Sequence, residues 1–231
     1  MRVYVINLVR RPDRRARIAT RLNGLGLQFS FVDATDSKSI EPSQVRQVIS
    51  LEESCCVRSH ALAMETFLQS DEEYAIVMED DAVPSPAVDW VSVTWRLESE
   101  MAAKGLSYLQ LGFISQAYET NRIGTMKRAL AQKIFRNKVP PSLNFNLAGK
   151  NHKIIVGESR AGSHCYIINR AFAELAPAFN EPAWVSHDGF FDRLATANGT
   201  TGSFLMGRLQ VSLAEQESRQ AGLDQIDSDI S

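Results

Sequence analysis

Three consecutive carboxylates, Glu79, Asp80 and Asp81, are the residues of this sequence best suited to chemistry. They follow the apolar run YAIVM and precede the loop AVPSPA. Adjacent acids repel one another, so at the end of a buried strand they require a cation or ordered hydrogen-bond donors. Because alternate residues of an extended segment point the same way, we expect Glu79 and Asp81 to converge on one Mg²⁺ or Mn²⁺ ion while Asp80 faces elsewhere. A solvated acidic turn is the alternative.

A second candidate site is the N-terminal loop within INLVRRPDRR. A loop between a first strand and a helix presents backbone N–H groups, and Arg11 and Arg14 can add charge-assisted hydrogen bonds to a phosphate. The loop therefore predicts a nucleoside diphosphate as ligand. It matches neither G-x-G-x-x-G nor a Walker loop, which argues against an ordinary dinucleotide or a P-loop nucleotide. The alternative is a solvated basic helix face, which accounts for some of Arg15, Arg17 and Arg21.

Both candidate sites follow predicted strands of an α/β domain. Apolar runs predict strands at 3–8, 29–32, 74–78, 107–113, 153–156 and 164–168. Amphipathic spacing predicts helices in RRARIATRLNGLG and at 55–69, 88–103, 170–179 and 187–197. The alternation is typical of the α/β class, and the run at 74–78 suits a strand of a largely parallel sheet. Such sheets bind ligands at the carboxyl ends of their strands.

Composition excludes several classes of protein. The 231 residues are 44% hydrophobic and 23% charged, which excludes disorder and fibre. A net charge of -2 provides no global basic field, so we expect no nucleic-acid partner. Three cysteines without a C-x-x-C pair argue against a disulfide framework or a zinc site. Without a signal peptide or a run of 18 apolar residues, we expect a cytoplasmic location.

Charge is distributed unevenly along the chain. Residues 120–157 carry eight basic residues and no acid, and Pro140-Pro141 interrupts the periodicity. We therefore predict one domain over 1–213 with a basic excursion at about 114–151, followed by an acidic C-terminal tail over 214–231. The basic segment is a candidate surface for an anionic glycolipid or for peripheral contact with the inner membrane, with a solvated face as the alternative.

Five segments resemble, in order and spacing, the glycosyltransferase family 25 proteins: INLVRRPDRR, FVDATD, CCVRSHALAMETFL, YAIVMEDDAV and AGSHCYIINR. That family includes bacterial lipooligosaccharide galactosyltransferases and collagen galactosyltransferases. The resemblance implies a GT-A-like, Rossmann-like fold with a mixed, mostly parallel sheet flanked by helices. It also implies a nucleotide-sugar donor, UDP-galactose in many members, and inverting transfer to a glycan or glycolipid. A divalent cation, Mn²⁺ or Mg²⁺, is implied at the acidic motif.

The resemblance also assigns site residues. Its acidic motif falls on the carboxylate triplet and its Ser-His pair on Ser59 and His60. It implies that Glu79 and Asp81 hold the metal and that the donor is bound by Asn7, Leu8, Arg11, Arg14, His60 and Asp80. A hydrogen-bonded structural role is the alternative for His60, and for His164 in a Gly-x-His-like position.

An inverting transfer requires a base, because the acceptor hydroxyl loses its proton as it attacks. Asp188, at a predicted helix N-terminus within PAWVSHDGFFDRL, is the candidate, since related folds place acceptor-side residues late in the chain. A helix cap is the alternative for Asp188, and His187 and Asp192 are weaker candidates for the base.

The sequence thus predicts a metal-assisted inverting hexosyltransferase that moves galactose from UDP-galactose onto a lipooligosaccharide or other surface glycan. Two alternatives stay open: a transferase with another donor sugar, and a sugar-nucleotide-binding module without turnover. A nucleic-acid-associated protein would require the N-terminal arginines to form one exposed stripe.

Overall fold

The computed structural model describes residues 1–40, 49–114, 143–147, 150–180, 182–201 and 204–217. Within these residues ten strands form one sheet. They are β1 (Arg2–Asn7), β2 (Phe29–Asp33), β3 (Tyr74–Glu79), β4 (Ala82–Pro84), β5 (Leu106–Gly112), β6 (Leu143–Leu147), β7 (Lys150–Val156), β8 (Cys165–Asn169), β9 (Leu205–Leu209) and β10 (Ala214–Gln216).

The sheet has the order β2-β1-β3-β8-β5-β9-β7-β6. β1 pairs in parallel with β2 and β3, and β5 pairs in parallel with β9. β8 lies antiparallel between β3 and β5, so β2, β1, β3, β5 and β9 all run in one direction. β10 pairs with β4 and, through Ala214, with Gly112 of β5. The predicted mixed, mostly parallel α/β sheet is confirmed.

Five helices flank the sheet in the described part of the chain: α1 (Pro12–Gly24), α2 (Leu51–Leu68), α3 (Trp90–Lys104), α4 (Arg170–Leu175) and α5 (His187–Thr201). Local signals explain their ends. Pro12 begins α1, where its missing N–H costs nothing. Ser50 and Glu53 form a capping box at the start of α2. α3 ends at Lys104 and is followed by Gly105, whose φ of 65° favours glycine.

The helices bury both faces of the sheet. Alternate residues of a strand face opposite sides, so Val3 of β1 packs with one cluster and Tyr4 with the other. The first cluster contains Ile18, Leu22, Trp90 and Leu97 from α1 and α3. The second contains Ala63, Phe67, Phe172 and Phe191 from α2, α4 and α5. The result is a three-layer arrangement with the strand ends left at the edges.

The structure adds strands that the sequence did not predict: β4, β6, β9 and β10. β6 and β7 form an antiparallel hairpin, and β7 pairs with β9, so the end of the predicted excursion at 114–151 lies in the sheet. Residues 115–142 and 148–149 of that excursion lie outside the described residues. β10 falls within the predicted tail 214–231, so the sheet extends into that segment, and residues 218–231 are also outside the description.

One predicted helix, at 170–179, is shorter than expected. α4 ends at Leu175 and a 3₁₀ turn follows at Pro177–Asn180, because Pro177 has no backbone N–H with which to continue the α-helical hydrogen bonds. Among the described helices, none has the length and apolar character needed to cross a lipid bilayer.

Candidate active site

The carboxyl ends of β1, β2 and β3 lie side by side at one edge of the sheet. The register pairs Asn7 with Asp33 of β2 and Ile6 with Glu79 of β3. The loop after β1 is closed by a hydrogen bond from the Arg11 N–H to the Leu8 carbonyl, at 2.8 Å. This turn places the N-terminal loop beside the acidic turn that follows β3, at the edge where open α/β sheets bind ligands.

Asp80 joins the acidic turn to the N-terminal loop. Its buried carboxylate accepts hydrogen bonds from Asn7 Nδ2 at 2.7 Å and from Arg14 Nη1 at 3.3 Å. Asn7 Nδ2 also lies 3.3 Å from the Arg11 carbonyl. Burial raises the pKa of Asp80, while the Asn7 hydrogen bond and the Arg14 charge oppose that rise. Of the three acids, Asp80 is therefore the one that anchors the loop.

Glu79 and Asp81 have fewer stabilising partners. Within the described residues, Asp81 Oδ1 is buried and has no hydrogen-bond partner. Burial raises the pKa of Asp81 to about 7, and the charges of Glu79 and Asp80 add to that rise. Burial likewise raises the pKa of Glu79 to about 7. The charge of His164 opposes that rise, and the charges of Asp188 and Asp80 add to it. Two such carboxylates are stabilised by a proton or by a cation, so they fit the predicted divalent ion.

We expect the metal-free protein to lose stability as the pH rises toward 7. The ordinary pKa values of Asp81 and Glu79 are 3.8 and 4.5, and folding raises both to about 7. Between these values the folded state binds more protons than the unfolded state, so the unfolding free energy falls with pH and levels off above the folded pKa. At about 1.4 kcal/mol per pKa unit, shifts of this size correspond to a loss of several kcal/mol for the pair.

Urea unfolding across that pH window, in the presence of a chelator, measures this loss. The double variant Glu79→Gln, Asp81→Asn is the control, because it removes both titrating groups and should flatten the profile. If the wild type and the double variant have parallel profiles, the two carboxyls are not responsible.

The N-terminal arginines are engaged with acids. Arg11 binds Asp13 through two nitrogens, each at 3.0 Å, and its guanidinium holds the pKa of Asp13 well below the usual range. Arg14 contacts Asp80, as described above. Further pairs join Arg10 to Asp36 at 2.7 Å and Arg15 to Asp33 at 3.3 Å. These pairs hold the arginines around the loop instead of in a single basic stripe.

A pocket of about 560 Å³ opens between the loop after β1 and the segment after β2. Its lining includes Val9, Arg10, Asp33, Asp36 and Ile40. The pocket is adjacent to the Asn7–Asp80–Arg14 network, because Asn7 directly precedes the loop and pairs with Asp33 in the sheet.

His60 lies on α2 against the acidic turn. Its Nε2 is 3.2 Å from Glu79 Oε1, its Nδ1 is 2.8 Å from the Tyr166 hydroxyl, and its ring stacks on His187 with centroids 3.6 Å apart. Burial lowers the pKa of His60 to about 3 and that of His187 well below its usual value, so both rings are neutral. His60 thus contacts a predicted metal ligand, and its direct contact with the donor stays a prediction.

Ser59 and His164 both have structural contacts. Ser59 Oγ donates to the Cys55 carbonyl at 2.7 Å and accepts from the Thr35 N–H at 2.9 Å, which ties α2 to the segment after β2. His164 is buried, with Nε2 2.9 Å from the Ala214 carbonyl. These contacts favour the structural alternative for the His164 ring.

Asp188 lies in the first turn of α5 and binds the loop before β8. Its carboxylate accepts from the Gly162 N–H at 2.6 Å, the Ser163 N–H at 2.9 Å and Ser163 Oγ at 2.5 Å. A carboxylate offers about four acceptor positions, so these contacts leave about one. Ser186 makes the capping contact, since its Oγ accepts from the Gly189 N–H at 3.4 Å. Asp192 lies one turn further along α5 and is partly buried.

Sequence reasoning missed three residues of this site: Tyr166, Cys56 and Gln110. Tyr166 orients His60, and Cys56 lies one helical turn before His60. Gln110, fully buried in β5, donates to the Arg160 carbonyl at 2.7 Å and accepts from the Arg160 N–H at 2.9 Å, which fixes the loop that Asp188 binds. Its position inside the apolar run SYLQLGF could have marked Gln110 as a buried polar residue with a specific partner. Nothing local marked Tyr166, because its partner is 106 residues away.

Comparisons with known proteins point to one family. The family model described as "Glycosyltransferase family 25 (LPS biosynthesis protein)" matches residues 1–176. A "Glycosyltransferase 25 family member" from Aedes aegypti is 27% identical over 34% of this chain and 16% of that protein, so the match spans about a sixth of the relative's length. The crystal structure of A197 from STIV is similar with a TM-score of 0.42 and 13% identity, over 93% of this chain and 83% of that one.

Proposed function

Because the chain belongs to glycosyltransferase family 25, we propose that it is a metal-assisted, inverting glycosyltransferase. The donor that we propose is UDP-galactose, and the acceptor is a lipooligosaccharide or another surface glycan or glycolipid. The observation that carries the proposal is the hydrogen-bonded network of Asn7, Asp80 and Arg14, which joins a basic loop to an acidic turn at the ligand-binding edge of the sheet.

The donor's nucleoside fits the pocket between the loop after β1 and the segment after β2. Asp33 and Asp36 line it and can accept hydrogen bonds from sugar hydroxyls. The diphosphate would then lie at the loop itself, near Asn7, the backbone of Leu8, and the guanidinium groups of Arg11 and Arg14. Phosphate oxygens favour such donors, and arginine offers several at once.

Glu79 and Asp81 are the residues that would hold Mn²⁺ or Mg²⁺. When bound, the ion neutralises charge on the departing diphosphate, which requires no proton transfer. The partnerless Asp81 oxygen and the raised pKa values of both carboxyls support this assignment, since a cation would relieve the repulsion. Asp80 keeps the N-terminal loop in place beside them.

Asp188 is the proposed base. The donors of Gly162 and Ser163 orient its carboxylate and leave about one acceptor position for the proton of the acceptor hydroxyl. Its charge raises the pKa of Glu79 and opposes the lowering of the His60 pKa, which supports a position near both residues. We also propose peripheral contact with the inner membrane through the basic segment 114–151, most of which lies outside the described residues.

Thermal unfolding with a panel of nucleotide sugars, with and without Mn²⁺, tests the proposal. A ligand that binds the native state raises its melting temperature. We expect UDP-galactose to stabilise the protein more with Mn²⁺ than without it. We also expect transfer of the sugar to a glycan, and NMR should show an inverted anomeric configuration in the product. Stabilisation without transfer to any glycan in an acceptor panel would indicate a binding module. If no nucleotide sugar stabilises the protein, the proposal fails.

Replacing Arg14 by alanine should weaken UDP binding by about tenfold or more, the value of one charge-assisted hydrogen bond. Isothermal titration gives the dissociation constant. Arg58→Ala is the matched control, because Arg58 is an exposed arginine of α2 that pairs with Glu65 at 2.7 Å, so its loss removes the same charge without touching the loop. Equal affinities for Arg14→Ala and wild type would remove Arg14 from the donor site.

A further inference from the structure

Cys56, His60 and Glu79 bring a sulfur, a nitrogen and an oxygen ligand atom within 4.8 Å of one another. Among the described residues, no other group of three metal-ligating side chains brings its ligand atoms this close together. We propose that these residues bind a divalent metal of the zinc class, at a second site next to the proposed Mn²⁺ or Mg²⁺ site, with Glu79 between the two. The inferred site shares Glu79 with the proposed function and requires none of its transfer chemistry.

The helix and the strand place the three ligands together. Cys56 and His60 are four residues apart on α2, so they lie one above the other on one helix face. Glu79 ends β3, and its Oε1 is 3.2 Å from His60 Nε2. Two ligands of one tetrahedral ion, with bonds of about 2 Å, are about 3.3 Å apart. The spacing of His60 and Glu79 therefore suits a single ion between the helix and the strand end, and the Cys56 sulfur lies within 4.8 Å of both ligand atoms.

Tyr166 orients the imidazole for this role. Its hydroxyl lies 2.8 Å from His60 Nδ1; in the tautomer with the proton on Nδ1, that proton is donated to the Tyr166 oxygen and the lone pair of Nε2 faces Glu79. In that tautomer a metal ion between Nε2 and the Glu79 oxygen would contact both atoms, which lie 3.2 Å apart. Metal-binding histidines commonly donate their second ring N–H to such a partner.

The ligand types favour zinc over manganese or magnesium. Thiolate and imidazole select zinc and similar ions, whereas magnesium and manganese prefer oxygen ligands. Three protein ligands leave one position of a tetrahedral ion open, as in catalytic zinc sites.

Titration of the purified full chain with Co²⁺ tests the site, because a cobalt-thiolate bond produces a charge-transfer band that oxygen ligands do not. We expect about one Co²⁺ per chain with that band, and its displacement by Zn²⁺. Cys56→Ser should abolish the band and weaken zinc binding by at least about tenfold. Cys55→Ser is the matched control, since Cys55 is the adjacent thiol and does not belong to the cluster; it should keep the band.

Two results would overturn the inference: absence of the band from the folded wild type, or its persistence in Cys56→Ser. His60→Gln is a second, independent test, because it should weaken metal binding at this site without altering a thiol. Asp81→Asn separates this site from the proposed function, because it should keep the cobalt-thiolate band while losing the Mn²⁺-dependent binding of UDP. If Asp81→Asn also loses the band, the two metals share one site and the inference of a separate site is wrong.

Discussion

The Asp81→Asn variant is expected to lose metal-dependent sugar transfer by at least about 100-fold and to remain folded. An asparagine keeps the size of the side chain and removes its negative charge, which is the property that holds a hard cation. Asp81 Oδ1 is buried and partnerless within the described residues, so no protein contact is broken at that atom. Because burial and the charges of Glu79 and Asp80 raise the Asp81 pKa to about 7, removing the charge also relieves repulsion.

Transfer rates measured over a series of Mn²⁺ concentrations, together with thermal unfolding in a chelator, check both parts of this expectation. The metal-free variant should be at least as stable as the wild type above neutral pH. Glu65→Gln is a matched control that removes one exposed acid of α2, and it should keep the wild-type rate. Wild-type activity in Asp81→Asn would remove the metal assignment from this residue.

The Asp188→Asn variant is expected to lower transfer by about 100-fold to 10,000-fold, the range for loss of a general base, and to destabilise the fold by about 2 kcal/mol. Three donors, two from Ser163 and one from Gly162, converge on the two carboxylate oxygens. An amide presents one NH₂ in place of an oxygen, so at least one of these donors would face another donor.

Ser163→Ala separates a base from a positioning residue. It removes the hydroxyl contact to Asp188 and leaves the carboxylate in place, so we expect a stability loss of about 1 kcal/mol with most of the transfer rate retained. The pH profile of kcat is the second readout, since loss of a base removes the limb that reports its ionisation. If both variants lose activity in proportion to their loss of stability, Asp188 positions the loop and another group takes the proton.

Several elements could be predicted from the sequence because their signals are local. β1 and β3 are continuous apolar runs, and the burial of β3 between β1 and β8 is what such a run indicates. The signals at the start of α1 and the end of α3, Pro12 and Gly105, act within one turn. The meeting of the N-terminal loop and the acidic turn followed from one general rule, that parallel strands have their carboxyl ends at the same edge.

Other elements carried no local signal. β4 and β10 are three residues each, too short for a periodic pattern, and they exist because they pair with each other across 130 residues of sequence. Glu217 shows the same dependence on the fold, since its N–H donates to the Asp81 carbonyl at 2.8 Å while its carboxylate binds Arg17 and Arg21. Such contacts arise from strand order, which is set by packing of the whole sheet.

By itself, the sequence determined the α/β class, the acidic turn and the basic loop, because hydrophobic periodicity, charge and turn-forming residues depend only on neighbouring positions in the chain. Only the tertiary structure decided what each acid touches: Asp80 contacts Asn7 and Arg14, and Glu79 contacts His60. Folding also brings the Cys56 sulfur within 4.8 Å of a Glu79 carboxylate oxygen, 23 residues later in the chain. A ligand set assembled from a helix and a strand end depends on distances in space, which spacing along the chain does not encode.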